Sequence, residues 1–173
     1  MVEADLSARR PHIPWGITAL ALAAAVIAPA LVAGFTVRVL GVPLAFALRI
    51  ALSMGLLALA HAVVLGLPAV MWLLRAGRAL SWPAAVVGGF VIGCVPTALW
   101  AWPLWRIRRG VSASDWNGHA LVPTLVNGIP TLAGWLHYAR LALLAGAFGC
   151  IGALAFWWVR RRLLARLARL GVG

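Results

Sequence analysis

The sequence contains no lysine, and its only acidic residues are Glu3, Asp5 and Asp115, against 15 arginines. Carriers driven by protons or sodium ions usually place a carboxylate inside the membrane, and no apolar run of this chain contains one. The two cysteines, Cys94 and Cys150, both lie within apolar runs. They therefore indicate small buried apolar side chains and not the disulfide framework of a secreted domain.

Motifs of catalysis are also missing. The sequence has no HExxH, no CxxC, no glycine-rich phosphate loop and no serine in the setting of a nucleophile elbow. We therefore expect no enzyme activity, no cofactor and no bound metal. No nucleic-acid partner is expected either.

What the chain does contain is apolar sequence. Hydrophobic residues make up 64% of it, and its mean hydropathy is +1.00, which is too apolar for a soluble domain. The pattern predicts an all-α, polytopic integral membrane protein with four transmembrane helices in a bundle. A run of helical length from Leu132 that passes directly into Arg160 is typical of a span with its cytoplasmic anchor.

The apolar runs predict the domain organisation. The expected spans cover residues 15–37, 50–74, 80–104 and 135–159, within a transmembrane domain of residues 15–159. Residues 1–14 form an N-terminal segment. Arg9 and Arg10 before the first run resemble the start of a signal peptide, but the run is longer than the usual apolar core of one, which favours a retained helix. Pro68 predicts a kink in the second span.

Small residues predict close packing between the helices. Gly89 and Gly93 have the GxxxG spacing, and Ala145, Gly149 and Ala153 repeat at intervals of four. Both patterns allow helix backbones to approach closely.

The longest polar stretch between spans is an outer loop of residues 105–130. Asn127-Gly128 predicts a small turn or β-hairpin between the third and fourth helices, although Pro123 and Pro130 weaken a strand ladder. Thr131 is a good N-cap for the fourth helix. Arginine, aromatic and other polar side chains make this loop the candidate site for a partner or an anion: Arg106, Arg108, Arg109, Asp115, Trp116 and His119. The alternative is that the arginines only anchor the third helix, with Asp115 as their counter-ion.

The arginine distribution predicts the orientation. With both termini in the cytoplasm, nine arginines lie inside and six outside, and the ten tryptophans divide evenly between the two interfaces, as expected in a bacterial inner membrane. Residues 160–173 then form a basic amphipathic tail on the cytoplasmic side. Its partners would be the lipid bilayer and anionic phospholipid head groups, bound through Arg160, Arg161, Arg162, Arg166 and Arg169.

His61 is an ionisable side chain near the middle of the second span, and such a residue is a functional candidate by default. One interpretation is a metal site that His61 shares with Cys94 and Cys150. The favoured one is structural: a neutral His61 bonds to Ser53, Thr97 or a carbonyl freed by a proline, and the cysteines fill space.

Three functions from different classes follow. The favoured one is a small non-enzymatic protein of the bacterial inner membrane that works through protein–protein contacts, as an accessory subunit, assembly factor or immunity-type protein. Its partner would be another membrane protein or a periplasmic protein, bound by the outer loop. The alternatives are an oligomeric small transporter or channel, and a membrane redox or metal-binding protein that uses His61.

Overall fold

The computed structural model describes residues 15–77, 79–102, 110–116 and 118–170. The protein is mostly helical, at 78%, with a small three-stranded sheet. Its helices are α1 (Trp15–Val39), α2 (Leu44–His61), α3 (Leu67–Arg75), α4 (Trp82–Trp100) and α5 (Leu132–Arg169), and a π-helical turn, Ala62–Gly66, joins α2 to α3. The strands are β1 (Ala113–Trp116), β2 (Leu121–Val126) and β3 (Ile129–Pro130).

Four helical segments in the described residues are long and apolar enough to cross a membrane, with α2 and α3 counted as one. Their surfaces agree with that reading, because many of their large apolar side chains are exposed, among them Phe35, Leu52, Leu99 and Leu143. Exposure on this scale is unfavourable in water, where burying each such side chain would contribute about 1.5–3 kcal/mol. The length, composition and exposure of these helices indicate a multi-pass membrane protein.

The second span begins earlier as a helix than the predicted start at residue 50. It runs from Leu44 to Arg75, 32 residues, with the Pro43 carbonyl accepting bonds from the Phe46 and Ala47 amides. A helix of this length measures about 48 Å, which exceeds the roughly 30 Å of a hydrocarbon core. Arg49 therefore lies inside the helix and does not mark its beginning.

Just before Pro68, where a kink was predicted, the helix has a π-helical turn. The Leu67 amide donates to the Ala62 carbonyl, five residues back, instead of the usual four. Pro68 has no amide hydrogen to give to the helical ladder, and its ring would crowd the preceding turn. The wider turn accommodates both effects within a continuous helical segment. Pro29 and Pro96 lie inside α1 and α4, and neither helix is interrupted.

The chain divides into two compact units, residues 1–86 with 151–173, and residues 87–150. In the first unit α1 packs on α2 through small residues. A Cβ added to Gly34 would lie 2.9 Å from the Ala51 Cβ, and one added to Gly55 would lie 3.5 Å from the Ala30 Cβ. Ala30 and Gly34, like Ala51 and Gly55, are four residues apart, so each pair lies on one face of its helix. This interface was not predicted from the sequence.

Also in the first unit, α5 approaches α1 at Gly152, whose added Cβ would lie 2.7 Å from the Ala25 carbonyl oxygen. Ala153, predicted to share the packing face of α5, is half-buried there. Beside it, Phe156 is buried.

In the second unit, the GxxxG pair of α4 meets the small residues of α5. A Cβ on Gly93 would overlap the Ala145 carbonyl oxygen and lie 3.3 Å from the Gly146 Cα. A Cβ on Gly149 would overlap the Gly89 carbonyl oxygen and lie 3.2 Å from the Gly93 Cα. The two helices are therefore in backbone contact, as the spacing of these residues predicts.

The contact between α4 and α5 predicts different stabilities for two glycine-to-alanine variants. Gly149→Ala should lower the free energy of unfolding in detergent by about 1–3 kcal/mol, because the added methyl group meets backbone that cannot move aside. Gly88→Ala is the matched control, since nothing lies within 4 Å of its added Cβ, and it should be neutral or stabilising by up to about 1 kcal/mol. Equal stabilities of the two variants, followed by circular dichroism during denaturation, would contradict this packing.

Candidate partner-binding surface

The described residues of the loop between α4 and α5 contain an antiparallel sheet in the order β1-β2-β3. Asn127 has φ 50° and Gly128 has φ 82°, so both turn residues take the positive φ of a type I′ hairpin. Val126 pairs with Ile129 across this turn. The Gly128 amide also donates to the Val111 carbonyl, at 2.7 Å, which ties the turn to the chain before β1.

Pro123 lies in the middle strand, although a proline was expected only at an edge. It pairs with Ser114, next to a register irregularity between Ala113 and Ser114. The irregularity accommodates the missing amide donor, since such bulges are where a sheet tolerates proline. Pro130, by contrast, ends β3 at an edge of the sheet.

Strand β1 was not predicted. Of its residues, Ala113–Trp116, only Trp116 has a high strand propensity, and the strand forms by pairing with β2. The sequence does carry one signal for this hairpin, a second Asn-Gly dipeptide at Asn117-Gly118 between the two strands. Gly118 has φ 100°, as expected of a glycine in a tight connection.

The sheet is attached to the beginning of α5 by Thr131. Its hydroxyl donates to the Pro123 carbonyl, at 2.6 Å, and accepts the Gly134 amide, at 3.2 Å, so one side chain both caps the helix and binds β2. The Thr131 amide donates to the Thr124 carbonyl. Gly134 permits the approach, because a Cβ there would overlap that same carbonyl oxygen.

Asp115 makes a second attachment. Its Oδ2 lies 2.7 Å from Nδ1 of His137 on α5, and its Oδ1 accepts the Trp116 amide at 2.9 Å. Sequence reasoning paired Asp115 with arginines and left His137 out, because the contact joins residues far apart in the chain. Both side chains are about half exposed, so the pair contributes at most about 1 kcal/mol, and its main effect is to orient β1.

An aromatic cluster supports the same end of α5. The rings of Trp102, Trp135 and Tyr138 meet edge to face, with centroids 5.5–6.0 Å apart. The Tyr138 hydroxyl donates to the Ala98 carbonyl of α4 at 3.3 Å. Such pairs each contribute about 0.5–1.5 kcal/mol beyond burial, so they stabilise the contact between the end of α4 and the beginning of α5.

Two large side chains of the sheet remain exposed. Trp116 and Leu121 are directly paired across β1 and β2, and their exposed fractions are 61% and 69%. We call them the Trp116–Leu121 pair. His119 is exposed on the connection between the two strands. Arg106, Arg108 and Arg109, the other predicted members of this site, lie outside the described residues.

His61 makes a local bond. Its Nδ1 lies 2.8 Å from the Leu57 carbonyl, one turn earlier in α2. The partners expected from the sequence bond elsewhere, Ser53 to the Arg49 carbonyl and Thr97 to the Gly93 carbonyl, each within its own helix. Over the described residues, no group of three or more His, Cys, Asp and Glu side chains is placed to hold a metal ion.

No protein family, curated protein or solved structure matches the chain in the comparisons made with it.

The attachment of the sheet predicts the effect of removing one hydroxyl. Thr131→Val should speed amide hydrogen exchange in β2 and β3 by about tenfold, corresponding to about 1.4 kcal/mol, because one substitution removes the helix cap and the bond to Pro123. Thr36→Val is the matched control, since its hydroxyl donates to the Val32 carbonyl of its own helix and not to the sheet. Unchanged exchange in the Thr131 variant would show that the sheet is held by other contacts.

Proposed function

We propose that this chain is a small non-enzymatic protein of a bacterial inner membrane that acts through protein–protein contacts. It would serve as an accessory subunit, an assembly factor or an immunity-type protein. Its contact surface would be the outer loop, residues 105–130, and its partner another membrane protein or a periplasmic protein.

The observation that carries the proposal is the exposure of the Trp116–Leu121 pair on an anchored sheet. Tryptophan is among the side chains most enriched at binding hot spots. Thr131 and the Asp115–His137 pair attach both strands to α5, so little backbone freedom is left to lose on binding. A surface ordered in advance lowers the entropic cost of association.

The charge of the loop favours a partner with acidic groups. Arg106, Arg108 and Arg109 are close in sequence to β1, and Asp115 is the only acid of the loop. Its carboxylate is engaged by His137 and the Trp116 amide. Arginine forks bind carboxylates through two parallel hydrogen bonds, so an acidic rim around an apolar contact is the expected complement.

Membrane insertion of the four apolar segments as a bundle, with both termini in the cytoplasm, belongs to the same proposal. The arginine count supports it, with nine inside against six outside. The length of the helices and their exposed apolar side chains support it as well. In this arrangement the sheet faces the periplasm.

The first test removes the exposed ring. Trp116→Ala should lower the amount of the specific partner that co-purifies in mild detergent by at least about tenfold, the equivalent of about 1.4 kcal/mol. The same loss should appear when the partner, once identified, is titrated with the purified variant.

Trp100→Ala is the control for this test, because Trp100 is also exposed, at 88%, but lies at the end of α4 and not on the sheet. Expression and helix content should match the wild type in both variants. Full binding by the Trp116 variant, combined with lost binding after deletion of residues 162–173, would move the contact surface to the tail and contradict the proposal.

The second test addresses orientation. A reporter fused after Gly173 or inserted at Gly77 should give a cytoplasmic signal, and one inserted at Asn117 a periplasmic signal, because the arginine excess keeps the former segments inside. Alkaline phosphatase and a green fluorescent protein serve as complementary reporters. A cytoplasmic signal from the Asn117 insertion would invert the assignment and remove the sheet from the periplasm.

A further inference from the structure

The end of α5 carries a second cluster of arginines, independent of the sheet. The sequence Trp157-Trp158-Val159 leads into Arg160, Arg161 and Arg162, all within one uninterrupted helix. We call these three arginines with the two tryptophans the Trp-Arg cluster. It belongs to the first compact unit.

Two guanidinium groups of the Trp-Arg cluster lie over indole rings. The Arg161 Cζ is 5.3 Å from the centroid of the Trp157 ring, and the Arg162 Cζ is 5.3 Å from that of Trp158. A cation held this way uses the flat face of the guanidinium. The N–H donors around its edge are not consumed by the ring, so they are available to oxygen acceptors.

One of the rings is fixed by a long-range hydrogen bond. The Trp157 Nε1–H donates to the Leu80 carbonyl at 3.0 Å, which ties α5 to the segment that precedes α4.

The third arginine, Arg160, has a buried donor. The Nε of Arg160 is buried and has no hydrogen-bond acceptor among the described residues. A buried donor without an acceptor is unfavourable, and a charged one more so. A ligand oxygen near this helix end would stabilise the cluster.

Acidic side chains do not neutralise this charge in the part of the chain that the structure describes. The one carboxylate there, Asp115, is bonded to His137. Tryptophan pairs and adjacent arginines are typical of the headgroup level of a membrane, where anionic lipids present phosphate oxygens.

We propose that the Trp-Arg cluster is a binding site for the phosphate group of an anionic phospholipid. Arg161 and Arg162 supply paired N–H donors from guanidinium groups oriented by the indole rings. The hydrogen bond from Trp157 to Leu80 sets the position of the first ring and so of Arg161. The site selects lipid by charge and by the planar fork of arginine, which matches a phosphate bidentately.

The experiment is native mass spectrometry of the full chain in detergent, titrated with phosphatidylglycerol or with phosphatidylcholine. The wild type should retain phosphatidylglycerol in preference. Changing Arg161 and Arg162 to Gln together should lower retention of phosphatidylglycerol at least fivefold and leave phosphatidylcholine unchanged. Trp157→Phe, which keeps the ring but loses the bond to Leu80, should lower it by a smaller factor.

The matched control changes Arg166 and Arg169 to Gln. This removes the same charge from the same helix, and neither residue lies over a ring. Both arginines belong to the basic tail that attracts acidic lipid, so retention should fall, but by a smaller factor than in the Arg161 and Arg162 variant. Equal losses in the two double variants would overturn the proposal in favour of general attraction between a basic helix and acidic lipid.

A further variant keeps the charge and removes the fork, in case the Gln variant does not fold. Arg161→Lys combined with Arg162→Lys should reduce the preference for phosphatidylglycerol to a value between those of the wild type and the Gln variant. Retention equal to the wild type would overturn bidentate recognition. Circular dichroism and size-exclusion chromatography verify that each variant remains folded.

Discussion

Close approach of helix backbones at small residues is the constraint on which the rest of the structure depends. In lipid, apolar side chains gain little by leaving their surroundings, so helices associate through van der Waals contact and require surfaces that fit. Gly93 and Gly149 provide that fit between α4 and α5, and Gly34 provides it between α1 and α2. A single methyl group at these places would separate the backbones. Large side chains such as Phe35 and Leu52 are meanwhile left on the outer surfaces of the helices.

Close contact with a helix also stabilises the sheet. The three strands are short and most of their side chains are exposed, so the sheet is not stable in isolation. Here Thr131 and Gly134 at the start of α5 bring β2 against the helix, and His137 one turn later engages β1 through Asp115. Helix α5 thus supports the sheet, and its contacts hold the strands that carry the exposed Trp116–Leu121 pair.

Local signals made much of this architecture predictable. Apolar runs of sufficient length located the four spans, Asn127-Gly128 located a hairpin, and Thr131 located the start of α5, because each depends on neighbouring residues only. Contacts that join distant residues were missed. Nothing in the sequence near Asp115 indicates His137. Strand β1 was not predicted either, although the Asn117-Gly118 dipeptide between β1 and β2 is a sequence signal for their hairpin. For the candidate site, the hairpin at Asn127-Gly128 was predictable from local sequence, and the attachment of its strands to α5 was not.

The π-helical turn Ala62–Gly66 has a consequence for how this span can vary. One additional residue in an α-helix rotates every later side chain by about 100° around the axis. A π turn takes up the additional residue locally, so the face of α2 that carries Ala51 and Gly55 continues in α3 one position later than a regular helix would give. The side chains of α3 are therefore rotated around the helix axis relative to those of α2. An insertion or deletion near His61 can be tolerated at this turn, while the packing of α2 against α1 keeps its register.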